Sequence, residues 1–544
     1  MMVLHSTDVL VIGGGATGTG VLRDLAMRGI RATLVERRDL ADGTTGRYHG
    51  LLHSGARYVQ RDAEAARDCA RDNAILRRII PHCIEDTGGL FVSTPHDPKR
   101  YAEEFVGLCY AADVPARAVR LRDVRRREPA LHPHISHAFE VADAAADSFL
   151  TVEANARAAR EYGAHTLLYH EVVALHVEAD RVCGATLHNT LNDEMVQIEC
   201  ACVVNAAGAW AGQIGRLAGV EIDIVAGKGV MIALNHRLVN TVINRCKPPG
   251  DGDILVPIRS VCVAGTTDEV VLNPDDRSIT APEVALILEE GDKLIPGLAQ
   301  ARLLRAWAGV RPLYREKATT ADRDLSRDFK VLDHAERDGL HGLVSIVGGK
   351  YTTYRLMAKR TVDVVAAQLG IVAPCLTHAE IIPPPNERRA FTVGAPLAAV
   401  ESAHAYGDLV CECELVTRQR VVQAWHDGAT SIDDIRRDTR LGMGPCQGGF
   451  CTIRAAALRY ESEGSGVRDQ GSGIGHRGLI SDYHPLAPSP KFNAFWPNAG
   501  AAFSQFCGAT NCAKPVWMNI SRLVCSTWTR NKAAADHLAL GESA

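Results

Sequence analysis

Near the C-terminal end of the 544-residue chain, four cysteines carry a spacing that can hold metal. Cys411-Glu412-Cys413 is followed, after 32 intervening residues, by Cys446-Gln447-Gly448-Gly449-Phe450-Cys451. Two loops with two thiolates each supply the ligand number of a [2Fe–2S] cluster. Structural zinc also takes four cysteines, but its usual gap of about two to four residues within a pair fits neither loop. A third reading keeps the four as small buried hydrophobes without metal. Cys69, Cys83, Cys109, Cys183, Cys202, Cys246 and Cys262 lie singly in apolar or mixed segments, and are expected to pack inertly.

At the other end of the chain, Gly13-Gly14-Gly15-Ala16-Thr17-Gly18 has the spacing of a dinucleotide-binding loop. Gly13 allows the tight turn, Gly15 lets backbone approach a pyrophosphate, Gly18 packs helix on strand, and the helix N-terminus offers N–H groups to the anion. Glu36 closes the unit as an acceptor for ribose hydroxyls. The plainer alternative is a glycine-rich turn and a surface glutamate. Two later segments, Asn205-Ala206-Ala207-Gly208 and Val347-Gly348-Gly349-Lys350, repeat the pattern of small residues after an apolar run. Three separated segments around one cofactor suit an extended FAD better than NAD. Arg57, Arg311 and Lys350 each sit inside a glycine-bearing segment. Alone, each reads as a solvated charge; their places in cofactor-lining loops reverse that reading and make them candidate site donors, the arginine fork being well matched to an anion.

These groups need elements to place them. Val9-Leu10-Val11-Ile12 reads as a buried parallel strand, Val21, Leu22, Leu25 and Ala26 as a helix ending by Gly29, and Ala32–Val35 as a second strand. Together they form a βαβ unit. Pro383-Pro384-Pro385 and Pro396 mark a linker. Beyond it, helices are expected over Arg418–His426, Ile432–Arg437 and Ile453–Tyr460.

Bulk properties narrow the class. Hydrophobic residues at 46%, charged residues at 23% and a net charge of −4 are ordinary for a globular protein and leave no basic field for nucleic acid. No apolar run reaches the roughly 18 residues of a membrane span, and no signal peptide is evident. The expectation is a cytoplasmic protein, with docking onto a membrane partner open.

The motifs GGGATGTG, HGLLHSGARY, VVNAAGAWA, WAGVRPL and GGKYTTYRLMA together resemble the FAD-dependent glycerol-3-phosphate dehydrogenases of the amino-acid-oxidase-like flavoprotein superfamily, over about residues 7 to 370. VCECELVT and GMGPCQGGFC resemble the bacterioferritin-associated-ferredoxin-like [2Fe–2S] module over about 408 to 458. The combination resembles the anaerobic branch of that family.

The resemblance implies an α/β fold: a Rossmann-like (GR2-type) FAD domain (about 7–80, 150–215 and 330–370) interleaved with a mixed-sheet substrate domain (about 80–150 and 215–330). These make up residues 1–380. A linker at 381–407, a small helical four-cysteine domain at 408–458 and an atypical tail at 459–544 follow. It implies cofactor contacts at Gly13, Gly15, Gly18, Glu36, Arg37, Gly46, His53, Ser54, Ala207, Gly208, Gly348, Gly349 and Lys350. It implies substrate contacts at Arg57, Tyr58, Thr267, Arg311 and Lys350, and catalytic duty for His53, Arg57, Arg311 and Lys350, with His53 as one candidate base. Cys411, Cys413, Cys446 and Cys451 would hold the cluster.

The implied substrate is glycerol 3-phosphate. The implied partners are a second flavoprotein subunit, a membrane-attached iron–sulfur subunit and, reached indirectly, menaquinone; these partners would attach the chain to the cytoplasmic face of the membrane. Two other readings stay open: an amino-acid or opine dehydrogenase of the same superfamily, and a non-catalytic electron carrier. After about residue 465 the acidic residues nearly vanish until Asp536, and the tail lacks the pattern of the family's C-terminal helix. It is expected to be a frameshifted or poorly ordered segment.

Overall fold

The structure, a computed structural model, describes residues 3–316, 328–384 and 394–465. The tail reading from residue 466 onward lies outside the described residues.

Val9, Leu10 and Val11 are fully buried. Consecutive apolar residues suit a strand covered on both faces, and strand Val3–Ile12 sits inside an eight-stranded sheet. It pairs in parallel with Ala32–Glu36 on one side and Met195–Asn205 on the other, with Ile12 opposite Val35 and Asn205. Met195–Asn205 pairs in parallel with Leu343–Gly348, Asn205 opposite Ser345. These registers end four strands at one level. Gly13, Glu36, Ala206 and Gly348 therefore lie along the carboxyl edge of the sheet, where open α/β sheets bind ligands.

Helix Ala16–Met27 starts at that edge. Its approach is close because residue 18 has no side chain: a Cβ there would lie 1.8 Å from the Gly13 carbonyl oxygen. Gly13 itself has φ +112, and a Cβ on it would meet the Ala206 carbonyl oxygen at 2.6 Å.

The second sheet has nine strands, drawn from residues 89–141 and 224–314. Strand Ile224–Leu234 pairs along its length with Leu303–Tyr314, and on its other side with Val261–Gly265. All pairings are antiparallel except Val242–Arg245 with Gly89–Ser93, so the sheet is mixed. Leu90, Val92, Val230, Ile232, Ile243 and Leu255 form its core.

The last described part is small and largely helical. Strands Leu409–Cys411 and Val416–Thr417 precede helices Arg418–His426, Ile432–Thr439 and Cys451–Ser465, packed around Val421, Ile435, Leu441, Ala455 and Leu458. The third helix starts two residues earlier than expected, so Cys451 is its first residue.

Within the segment expected as a linker, the described residues include helix Gly394–Ser402; Pro396 falls in its first turn, where a missing N–H costs nothing. Among the described residues no helix is long and apolar enough to cross a membrane.

Candidate functional site

A cleft of about 1070 Å³ runs along the carboxyl edge of the first sheet and under the second. Its wall includes Gly13, Gly15, Glu36, Arg37, Ala207, Gly208, Gly348 and Gly349 from the first sheet's loops, and His53, Arg57, Tyr58, Arg311 and Lys350. Gly18, Gly46, Ser54 and Thr267 are not part of that wall. Gly18 and Gly46 act by giving room: a Cβ at residue 46 would lie 2.3 Å from the Ala41 carbonyl oxygen. Ser54 is buried and its N–H donates to Asp143 at 2.6 Å. Thr267 turns away because its hydroxyl is committed elsewhere: it accepts from the Val230 N–H at 2.9 Å and donates to Glu283 at 3.2 Å.

At the nucleotide end, Glu36 accepts from the N–H of Gly14 at 2.7 Å and of Arg38 at 3.0 Å. Burial raises its pKa against these two donors. The N–H of Ala16, first in its helix, donates to Thr45 Oγ1 at 3.1 Å. Arg37 lies 4.5 Å over the Trp210 ring and pairs with Asp275.

At the other end the three cations are held differently. Arg57 Nη2 donates to Asp253 at 2.6 Å and to the Gly250 carbonyl at 3.0 Å, and Asp253 is fully buried. Burial acts to lower the Arg57 pKa, but Asp253 outweighs it and the net direction is up. Arg311 donates to Asp268 at 2.9 Å, to the Thr267 carbonyl at 3.0 Å and to the Thr266 hydroxyl. Lys350 Nζ, by contrast, is buried without a hydrogen-bond partner and lies 4.6 Å over the Tyr58 ring. Tyr58 OH is 3.4 Å from His53 Nε2. The chain thus brings Lys350, Tyr58 and His53 together across nearly 300 positions of sequence.

The cysteines also converge. Cys413 Sγ is 3.7 Å from both Cys411 Sγ and Cys446 Sγ, and Cys411 also interacts with Cys451. A tetrahedral metal with bonds of about 2.3 Å spaces its sulfurs by about 3.8 Å. Hydrogen bonds from Cys413 and Cys451 favour the Cys411 thiolate, and the same contacts hold those two thiols protonated. Among the described residues no group of three or more such ligands is already placed around a single ion; the sulfurs run in a chain, with Cys413 between Cys411 and Cys446.

The inert cysteines behave as such. Cys69, Cys83, Cys109, Cys202, Cys246 and Cys262 are fully buried, with burial pushing their thiols up. Cys183 is half-buried.

Residues 8–355 match the FAD dependent oxidoreductase family, and residues 409–458 match the BFD-like [2Fe-2S] binding domain. The A-type subunit of anaerobic glycerol-3-phosphate dehydrogenase from Escherichia coli (strain K12) is 44% identical over 477 residues, covering 84% of this chain and 88% of that one. The chain belongs to that A-type family.

Another relative of the family, an A1-type subunit of the anaerobic enzyme from Haloferax volcanii, is also 44% identical, covering 83% of this chain and 82% of its own. In fold the chain is similar to a glycerol-3-phosphate dehydrogenase from Bacillus halodurans complexed with FAD, with a TM-score of 0.60 at 23% identity over 84% of this chain and 90% of that one.

The cofactors of this family member are FAD and a [2Fe–2S] cluster, and the residues fit both. The glycine-lined edge would take the FAD pyrophosphate, and Lys350 and Tyr48, whose amine and hydroxyl are buried without a hydrogen-bond partner in the protein, belong to the residues lining the cleft. The sulfurs of Cys411, Cys413 and Cys446 carry the spacing of metal thiolates, and Cys451 contacts Cys411. Sequence reasoning overlooked Tyr48, His49, Thr45, Trp210, Thr266 and Asp268 as site residues. All six line the cleft, and all but Thr45 lie within or beside segments whose glycines point to the cofactor.

Proposed function

We propose that the chain oxidises the C2 alcohol of sn-glycerol 3-phosphate to dihydroxyacetone phosphate and sends the electrons outward through its cluster. The bound flavin supplies the hydride acceptor and the cluster a one-electron relay. The cofactor is held by segments 7–80, 150–215 and 330–370, and the substrate mainly by 80–150 and 215–330.

The observation that carries this reading is the Lys350 amine. Its Nζ has no hydrogen-bond partner in the protein, and an unmet buried donor costs about 1–3 kcal/mol, which an anionic oxygen of the ligand would relieve. Arg57 and Arg311 flank the same cleft with their orientation already fixed by Asp253 and Asp268, which spares the ordering of two long side chains on binding. With these three holding the phosphate and hydroxyl groups, His53 accepts the C2 hydroxyl proton and Tyr58 orients His53.

Cys446 is exposed and Cys413 half-buried, which supports onward transfer at the surface. The acceptors are a second flavoprotein subunit, then a membrane-attached iron–sulfur subunit leading to menaquinone, and they hold the chain at the cytoplasmic face of the membrane. Dye-linked turnover with glycerol 3-phosphate and none with amino acids is the expected result; the reverse preference would return the chain to the amino-acid or opine dehydrogenase reading.

A further inference from the structure

The second sheet has chemistry at both ends of its strands. In the hairpin Ile254–Ile258 and Val261–Gly265, the open end carries the substrate cations: Asp253, just before it, pairs with Arg57, and Thr266 and Thr267, just after it, hold Arg311. Strands of five residues put the tip about 16 Å away. The tip is Arg259-Ser260, with Arg259 in a left-handed conformation at φ +50.

Both tip residues grip Glu414, which follows Cys413. Arg259 Nε is 2.9 Å from Glu414 Oε2, Arg259 Nη2 donates to the Glu414 carbonyl at 3.3 Å, and the Ser260 hydroxyl donates to Oε1 at 3.3 Å. The Glu414 side chain is wholly buried and Arg259 nearly so. Arg440 closes the cluster by reaching Glu414 at 3.2 Å and Asp147 at 3.1 Å.

A second strand repeats the arrangement. Leu303–Tyr314 carries Arg311 in the cleft wall and, six positions earlier, Arg305. An even separation puts both on one face of the strand, about 20 Å apart. Arg305 Nε donates at 2.6 Å to Gln447, which follows Cys446. One sheet therefore frames the substrate cations at one end and holds both cysteine loops at the other, each by the residue after a ligand.

We propose that Arg259 and Arg305 are positioning residues for electron transfer from the flavin cleft to the cluster, fixing the separation of the two centres through Glu414 and Gln447. This rests on the proposed passage of electrons from flavin to cluster. Each substrate oxidised delivers two electrons; the cluster carries them singly, one iron cycling between ferric and ferrous, to an external one-electron acceptor, ferricyanide in the assay, while the protons leave to water.

The test is anaerobic rapid mixing of the purified full chain, loaded with FAD and iron, as wild type, Arg259→Ala, Arg305→Ala and Arg305→Lys. Flavin bleaching by glycerol 3-phosphate and iron content should stay unchanged. The EPR signal of the reduced cluster should appear roughly tenfold or more slowly in both alanine variants and recover in part with Arg305→Lys, which keeps one donor. Arg305 sits in an exposed hydrogen bond, so its variant folds even if Arg259→Ala does not. Wild-type cluster reduction with Arg305→Ala, or loss of iron from it, would overturn the proposal. A parallel arm reduces the flavin with light and EDTA, so failure of glycerol 3-phosphate to bleach wild-type flavin would count against the function reading while the light arm still decides the clamp.

Discussion

The flavin cleft and the cluster module solve the same problem, holding a redox group, in opposite ways. The module gathers its four ligands from 41 positions of sequence, Cys411 to Cys451, and its chemistry rests on four side chains. The cleft gathers its wall from Ile12 to Met357, and much of it is missing side chains: glycines where backbone must touch backbone. A module of that kind fails completely when one side chain changes. A cleft of the other kind fails steeply where a Cβ cannot fit and gently where one of several polar contacts is lost.

The largest expected effect follows from the module. Changing Cys411, Cys413, Cys446 or Cys451 to Ser should abolish the cluster absorbance and iron content while glycerol 3-phosphate still bleaches the flavin. Retention of iron in any one of the four would break the contrast, as would zinc in the wild type.

The next tests the cleft at its tightest point. Gly18→Ala sets a Cβ 1.8 Å from the Gly13 carbonyl oxygen, a backbone atom that cannot swing aside, so the strain costs about 3 kcal/mol. Thermal unfolding should shift down and the purified protein should come without flavin, whereas cluster content per folded chain is kept.

How much of this was legible in the sequence follows the same division. The glycine loop, Glu36 and the cysteine loops are local patterns, and helix Arg418–His426 could be read to the residue because its apolar spacing is local too. The partners of the substrate cations were not legible. Asp253 lies 196 positions from Arg57, and Asp268 lies 43 from Arg311; no periodicity joins them. Neither could sequence reveal that Thr267 faces Val230 and Glu283, leaving its neighbour Thr266 to meet Arg311, since which side chain of a strand end points inward depends on the pairing register. Pro396 did not announce helix Gly394–Ser402, because a proline breaks a helix interior yet suits its first turn.

A middle effect is expected at Lys350. Removing one charge-assisted donor to a phosphate costs about 1.5 to 3 kcal/mol, roughly 10- to 100-fold in kcat/KM. Lys350→Ala should show this with glycerol 3-phosphate and little change with glycerol; equal losses on both would remove the phosphate role. Because Lys350 alone of the three lacks a protein hydrogen bond, its substitution should leave thermal stability unchanged or higher, while Asp253→Asn should lower it by stranding Arg57.

The smallest effect is at Glu36. Glu36→Gln keeps an oxygen acceptor for the Gly14 N–H but loses the charge, which should weaken FAD binding by about 1 kcal/mol, roughly fivefold. Flavin fluorescence during dilution reads this directly, and a loss as large as that of Gly18→Ala would erase the difference between steric and polar control of the cleft.

Cleft and module work together only if one chain takes electrons from glycerol 3-phosphate into its flavin and on to its own cluster. An anaerobic titration of the purified protein with glycerol 3-phosphate, followed by absorbance, reads both steps at once. The oxidised-flavin bands should disappear first and the cluster bands bleach after them, with glycerol and amino acids leaving both unchanged. Flavin that stays yellow in excess glycerol 3-phosphate would contradict that passage.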